Sequence, residues 1–329
     1  MKKIKKCEVC GNDLLKDVLD LGNHPLCDDL IPIGSKNVCK EYPIDILFCE
    51  ICLTAHQRYQ VPKKTLFNHD YHYRARMTGS VLDGMSDFVE GCEKRFGDLK
   101  GKVVLDVGSN DGSLLNFFKD KGCNTIGVEP TDAALDSRHK TIIEYFDKNS
   151  ASKVLNEVGK PDLIVFTNVF AHIEDLPELI NNLMLLSGRK TKIVIENHYL
   201  GAVLNGNQFD TFYHEHPRTY SYKSFEYIAK SLGMNVLDAE FVSRYGGNIR
   251  VYLGKETSKH LSSDESSFGI SFEKMNRNLL QWKTDTKAMI NSHIKAHGPL
   301  RAKAFPGRAA IILRLLKADE KMIKCVYKN

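Results

Sequence analysis

The chain has 329 residues, of which 42% are hydrophobic and 26% charged, and its formal net charge is +5. That composition is globular, with room for roughly two or three domains. Its apolar runs fall far short of the roughly 20 residues that cross a bilayer, and its basic residues are interspersed with acids, without the concentrated stripe of a nucleic-acid binder.

The start, M-K-K-I-K-K-C, is basic but leads into no apolar signal core, so a cytoplasmic location is expected. Nine cysteines in such a chain point to metal binding or reduced thiols and away from a disulfide framework. Cys7-Glu-Val-Cys10 and Cys49-Glu-Ile-Cys52 form two C-x-x-C pairs. Each pair fits a tight knuckle with both sulfurs facing one point, and two knuckles complete a tetrahedral thiolate site. Zinc favours such a set, and four closed ligands make it structural. Gly11-Asn12 suits the knuckle turn. A redox dithiol is the rival reading, but it needs only one pair. Cys27 and Cys39 lack the pair spacing and read as ordinary structural residues.

Residues 1 to about 70 therefore read as a zinc module, with a β-like stretch at 44–48 leading into the second knuckle. Residues 71–98 link it to a larger domain. Val81, Met85, Phe88, Val89 and Cys92 fall on one helical face there, predicting a helix packed on that domain. Before that helix, H-D-Y-H-Y-R-A-R at 69–76 sets Tyr71 and Tyr73 among basic residues at a domain junction, where small-ligand clefts are common. The bland alternative is a solvated linker.

Residues 99–255 carry an α/β alternation, with strands expected near 103–107, 125–129, 162–167 and 192–196. The first is the most informative: V-V-L-D-V-G-S-N-D-G-S runs an apolar strand into Asp106, then a turn bracketed by Gly108 and Gly112, then a helix. That is the opening of a doubly wound unit, with glycines where a ligand approaches the backbone. Glu129 closes the second strand, 23 residues after Asp106, where a carboxylate can accept two ribose hydroxyls. The spacing is G-x-x-x-G, not the dinucleotide G-x-G-x-x-G. Asp106 and Asp111 would repel a pyrophosphate but suit a cationic ligand. The motif resembles the class I S-adenosylmethionine (SAM) methyltransferases, which implies a cofactor site of Asp106, Gly108, Asn110, Asp111, Gly112, Glu129 and Asn168; some other adenosine ligand is the alternative.

Asn168 and His172, in F-T-N-V-F-A-H-I-E-D-L, follow the next apolar strand and should face the cleft at the strands' carboxyl ends. The Pro-Pro-aromatic motif of nucleobase amino-methyltransferases is missing there. Beyond the strand at 193–196 comes the densest titratable cluster, Tyr213-His214-Glu215-His216. Strand alternation would pair Tyr213 with Glu215 and His214 with His216; a helical turn would bring Tyr213 and His216 together. Pro217 biases His216 from helix, so a turn is expected. A histidine beside a carboxylate is a candidate general base; a second zinc site is weakly supported by H-x-H without cysteine. A terminal hairpin is expected around R-Y-G-G-N, from 242–243 and 249–253. Residues 256–329 predict a helix over 272–294, then a strand, a Pro-Gly turn, a helix and a last strand at 323–327. Such a lobe is too small to cover its own sheet: it either completes itself on a neighbour or is cut short.

Together, the two C-x-x-C pairs, L-G-N-H-P-L-C-D-D-L, L-D-V-G-S-N-D-G, T-N-V-F-A-H-I-E-D-L, Q-F-D-T-F-Y-H-E-H and G-G-N-I-R-V-Y resemble the zinc-containing, SAM-dependent C-methyltransferases of nucleotide-activated deoxysugars. The resemblance implies an α/β fold: an N-terminal zinc-binding module, a Rossmann-like class I methyltransferase sheet, and a small incomplete C-terminal α/β lobe. It implies that a nucleoside diphosphate 4-keto sugar loses a proton beside its ketone and takes the methyl on carbon. His216 would be the base, Tyr213, Glu215 and His172 would line the sugar site, and Tyr71 or Tyr73 would bind or polarise the sugar. F-P-G-R at 305–308 echoes a turn of a longer family lobe, and Y-H-Y-R-A-R-M-T departs from a serine-rich family stretch. The residues also argue for carbon. Carbon needs a base and a stabilised enolate, whereas oxygen or nitrogen already carries a lone pair. A zinc-knuckle RNA base methyltransferase would be far more basic, and a non-catalytic zinc- and SAM-binding scaffold leaves Y-H-E-H unexplained.

Overall fold

A computed structural model describes the chain except residues 28–35, 68–70, 258–263, 304–306 and 328–329. The end of L-G-N-H-P-L-C-D-D-L, His69 and Asp70, and Phe305 and Pro306 of the expected Pro-Gly turn lie outside the described residues.

The N-terminal segment is a small antiparallel assembly. β1 (Lys2–Lys3) leads into the first knuckle; β2 (Lys16–Pro25) and β3 (Glu41–Cys49) form a long pair with β4 (Thr54–Gln57) beyond, and β5 (Tyr59–Gln60) returns to β1. Tyr42, Ile44, Ile46 and Phe48 alternate inward along β3, which ends on Cys49. A short helix, α1 (Lys63–Leu66), comes next.

α2 (Gly79–Phe96) buries the expected face, Val81, Met85, Phe88, Val89 and Cys92. It packs over Leu114, Leu115 and Phe118. β6 (Val103–Val107) then opens the large sheet, followed by α3 (Ser113–Asp120), β7 (Asn124–Val128), β8 (Lys140–Ile142), α4 (Lys148–Val158), β9 (Leu163–Thr167), α5 (Leu176–Leu186) and β10 (Lys192–His198). After α6 (Leu200–Asn205) come β11 (Arg218–Thr219), α7 (Tyr222–Ser231), β12 (Asn235–Val242) and β13 (Asn248–Gly254). The order is β12-β13-β10-β9-β6-β7-β8, parallel from β10 to β8 and antiparallel at β13 and β12. This is the class I methyltransferase sheet. β8 has no counterpart among the strands read from sequence: three edge residues, none fully buried, carry no apolar run. β9 is the opposite case. Its Leu163, Ile164, Val165 and Phe166 are all buried, covered on both faces, and emptying a site such as Phe166 costs about 3–5 kcal/mol.

Two long-range associations matter for the site. β11 pairs with β4 rather than with the large sheet, making a four-stranded sheet β11-β4-β3-β2 from distant parts of the chain. α8 (Phe268–His297), longer at both ends than the periodicity indicated, buries Phe268, Phe272, Met275 and Leu279 against Leu19, Ile44, Phe48 and Phe212. β14 (Leu300–Lys303), α9 (Ala309–Leu316) and β15 (Ile323–Tyr327) complete the chain; the two strands pair in parallel, and Ile311 and Leu315 of α9 join the same core. Among the described residues no helix is long and apolar enough to cross a membrane.

Candidate active site and metal centre

The four paired cysteines meet. Cys7, Cys10, Cys49 and Cys52 place their sulfurs within 4.8 Å of one another, with Cys7–Cys52 at 3.4 Å and Cys10–Cys49 at 3.5 Å. Tetrahedral zinc at about 2.3 Å from each sulfur sets them roughly 3.8 Å apart, so the donor set fits. Gly11, at φ +78°, turns the first knuckle and donates to the Cys7 carbonyl at 2.9 Å. Asn12 Nδ2 and His56 Nε2 lie 3.5 Å from Cys49 Sγ and 3.3 Å from Cys7 Sγ. Contact with Cys49, then burial, pushes the Cys7 thiol up, the cost of crowding negative sulfurs without a counter-charge. Four thiolates need a cation among them.

A separate cleft of about 710 Å³ opens at the carboxyl ends of the parallel strands, where β6 and β9 part and the topology switches direction. Its size is that of a small-molecule site. One wall is the glycine turn. Gly108 has φ +75°, and a Cβ there would come within 2.5 Å of Val169, so only glycine gives this close passage. Asp106, 3% exposed, reaches the cleft with its carboxyl pushed up to about 8, by burial and then by Glu129. Glu129 is held at both oxygens: one accepts from Asn110 N at 2.9 Å, the other from Thr131 N and Oγ1 at 3.0 and 2.6 Å. Asn110, at φ +49°, accepts from Ala75 N at 3.0 Å and donates to Tyr73 O at 3.1 Å, binding the 71–77 segment to the turn. Asn168 lines the cleft at φ +55° and accepts from Asn248 Nδ2 at 3.0 Å.

Asp111 and Gly112 lie behind the turn, off the cleft wall. Asp111 accepts from Ser113 N and Oγ at the start of α3 and from Arg76 N at 3.0 Å. It organises the turn, leaving Asp106 and Glu129 as the carboxylates that line this end of the cleft.

At the other end of the cleft, residues 213–216 make the expected turn, closed by His216 N donating to Tyr213 O at 2.9 Å. Tyr213, Glu215 and His216 line the cavity; His214 turns away, its Nε2 3.0 Å from Tyr42 O. His216 Nδ1 lies 3.1 Å from Thr211 O. A carbonyl can only accept, so Nδ1 carries the proton and Nε2 presents a lone pair. That Nε2 is 3.2 Å from His172 Nε2, and His172 Nδ1 is 3.8 Å from Glu215 Oε2. Burial, then its neighbour His198, brings His172 down to about 3; burial, then His172 and His198, holds His216 well below 6.5. Burial drives Tyr213 well above 10, so its hydroxyl keeps its proton. Tyr71 and Tyr73 both line the cleft, and Phe67 bridges Tyr71 to the His172 ring.

Several wall residues escape sequence reading. His198, its ring 5.1 Å from His216, is brought to about 4 by burial and then Arg308. It ends β10, which runs two residues past the expected strand end; a strand read to its full length would have marked it. Tyr245, at φ +51° in the β12–β13 turn, and Lys63 and Arg308 also face the cavity. Arg308 reaches Thr211 Oγ1 at 3.0 Å. Two of them sit in the R-Y-G-G-N and F-P-G-R stretches, but nothing local to the sequence aims any of the three at the cleft.

Residues 73–239 match the family described as a methyltransferase domain, and residues 7–67 the family described as a zinc binding domain. The C-methyltransferase NovU of Streptomyces niveus is 29% identical over 311 residues, covering 90% of this chain and 73% of that protein. Among solved structures, the PH0226 protein of Pyrococcus horikoshii OT3 shares 14% identity over 56% of this chain and 95% of that one, with a TM-score of 0.43. The magnesium protoporphyrin IX methyltransferase ChlM of Synechocystis PCC 6803, with bound SAH, shares 14% over 53% and 83%, with a TM-score of 0.40.

Proposed function

The chain belongs to the methyltransferase-domain family, and from that premise we propose that it methylates a carbon atom of a nucleotide-activated keto deoxysugar, with SAM as donor and zinc as a structural ion. One observation carries the reading: His216 turns an unprotonated Nε2 into the same cleft that the glycine turn and Glu129 line. The name of the similar NovU protein, a C-methyltransferase, supports carbon as the acceptor.

SAM, when bound, supplies an electrophilic methyl group whose carbon–sulfur bond breaks onto the sulfonium. Glu129 would accept its ribose hydroxyls, and Asp106 would offer a carboxylate to its positive charge. His216 Nε2 takes the proton from the carbon beside the ketone, and the C–H electron pair moves into the enolate. Tyr213, still protonated, donates to the enolate oxygen, with Tyr71 or Tyr73 against the sugar. The enolate carbon then takes the methyl. In the free cleft His172 Nε2, 3.2 Å from His216 Nε2, donates to that same nitrogen, and the substrate takes its place on the lone pair before the proton moves. A base works best with its pKa near the operating pH. An anionic substrate raises the depressed value of His216 towards that range, and Lys63 and Arg308 give the diphosphate cations at the cavity wall.

The test is transfer of labelled methyl from SAM to nucleoside diphosphate 4-keto deoxysugars, with bulk RNA in parallel. Label should appear in the sugar on a carbon–carbon bond, located by carbon NMR. Label in RNA, or on oxygen or nitrogen, overturns the proposal.

A further inference from the structure

We propose that Arg218 is a positioning residue that ties the geometry of the His172–His216 pair to the first zinc knuckle. The inference rests on the proposed base chemistry for its kinetic consequence, while its structural content stands separately.

Arg218 has a side-chain exposure of 0%, an unusual place for a guanidinium. Every contact it makes there is a strut. Nε donates to Tyr220 Oη at 2.9 Å. Nη1 donates to Glu8 Oε2 at 2.5 Å and to the Glu174 carbonyl at 3.2 Å, and Nη2 donates to the Ile173 carbonyl. Those two carbonyls belong to the residues immediately after His172. Arg218 itself lies two residues after His216. One planar side chain therefore fixes both chain segments that deliver the paired imidazoles, which come from different elements and share no backbone hydrogen bond.

The other end of the strut is the metal module. Glu8 is inside the Cys7–Cys10 knuckle, where Lys2 Nζ and Gln60 Nε2 also hold it at 2.7 and 2.8 Å. In the β4–β11 ladder the residue opposite Arg218 is His56, whose Nε2 lies 3.3 Å from the Cys7 sulfur. Gln57 N, next along β4, donates to Pro217 O at 2.9 Å, between His216 and Arg218. A closed knuckle places Glu8; Glu8 orients the guanidinium; the guanidinium sets where the 172–174 and 216–218 segments meet. The metal module thus acts as part of the scaffold of the cleft. Only arginine suits the position, because its rigid fork serves a carboxylate and two carbonyls at once, whereas a lysine ammonium is a point charge.

The experiment compares full-length, zinc-loaded wild type with Arg218→Lys. Readouts are zinc content, SAM affinity by calorimetry, the imidazole nitrogen-15 resonances of His172 and His216, and kcat and KM for the sugar. Zinc and SAM binding should match wild type. Both imidazoles should shift, and kcat should fall by roughly 10- to 100-fold with KM held, the scale of a misplacement remote from the reacting atoms. Unchanged imidazole resonances in folded, zinc-loaded Arg218→Lys overturn the inference. Should that variant not fold, Glu8→Gln carries the same test: it keeps shape and removes the anchoring charge, so the same resonances should move by less, and their failure to move overturns it equally. Shifted imidazoles in a protein that methylates no sugar keep the strut and remove only the substrate reading.

Discussion

His216 and His172 face each other across 3.2 Å, Nε2 to Nε2, and the Thr211 carbonyl fixes which proton His216 already holds. The contact therefore needs its proton from His172, leaving His172 Nδ1 towards Glu215. Substrate must displace that bond before the lone pair of His216 Nε2 can take its proton.

His216→Asn should leave SAM binding nearly intact while kcat falls by roughly 10² or more, the loss of a general base. With SAM replaced by its demethylated product, wild type should still wash solvent deuterium into the carbon beside the ketone, and the variant should not. Exchange that persists in His216→Asn but vanishes in His172→Asn moves the base to His172. Because His216 is held well below 6.5, the acidic limb of kcat/KM for the free enzyme should lie below that value.

Asp106 makes a prediction about the donor site. With its pKa near 8 in the free cleft, it is largely protonated at pH 7. A ligand bringing positive charge beside it favours the carboxylate, so SAM binding should release about one proton at neutral pH. Calorimetry in buffers of different ionisation enthalpy reads that proton directly. The apparent enthalpy should vary with buffer in wild type and not in Asp106→Asn. Equal enthalpies in wild type would separate Asp106 from the ligand's charge.

For the metal centre, purified protein should carry about one zinc per chain, the stoichiometry of a closed four-thiolate site. Cys49→Ser should lose the metal and lower the thermal midpoint, since the sulfurs and β3 share one buried cluster edge. A chain that folds fully without metal and keeps its midpoint would remove zinc from the fold.

His214 gives a pH dependence of stability with a defined sign. Burial, against the bond to Tyr42, brings it down to about 4, while the unfolded histidine stays near 6.5. The unfolded chain therefore binds the extra proton, and stability present above pH 6.5 is lost as pH falls towards 4. Urea unfolding at pH 7 and 5.5, at constant excess zinc, should show wild type losing about 1 kcal/mol more than His214→Gln over that interval. The glutamine keeps a donor for Tyr42 but cannot take the proton. Identical losses would place the acid sensitivity elsewhere.

What the sequence determines by itself is what short-range chemistry encodes. Paired C-x-x-C spacing needs only two tight turns to aim four sulfurs, and Gly108 with its apolar lead-in specifies a strand, a close backbone passage and a helix. Pro217 and the crowded titratable groups mark the 213–216 turn. Tertiary structure decides how these pieces face one another. Asp111 and Asp106 look equivalent in the motif, yet the start of α3 claims one and the cleft the other. Nothing local distinguishes Arg218 from a surface arginine; it is buried because β11 joins the sheet of the zinc module, opposite residues far behind it in the chain. The His172–His216 contact depends on that same long-range pairing, together with the end of β9. Such contacts arise only when distant segments share one core, and the cost of burying their charges is met by partners no window of sequence contains.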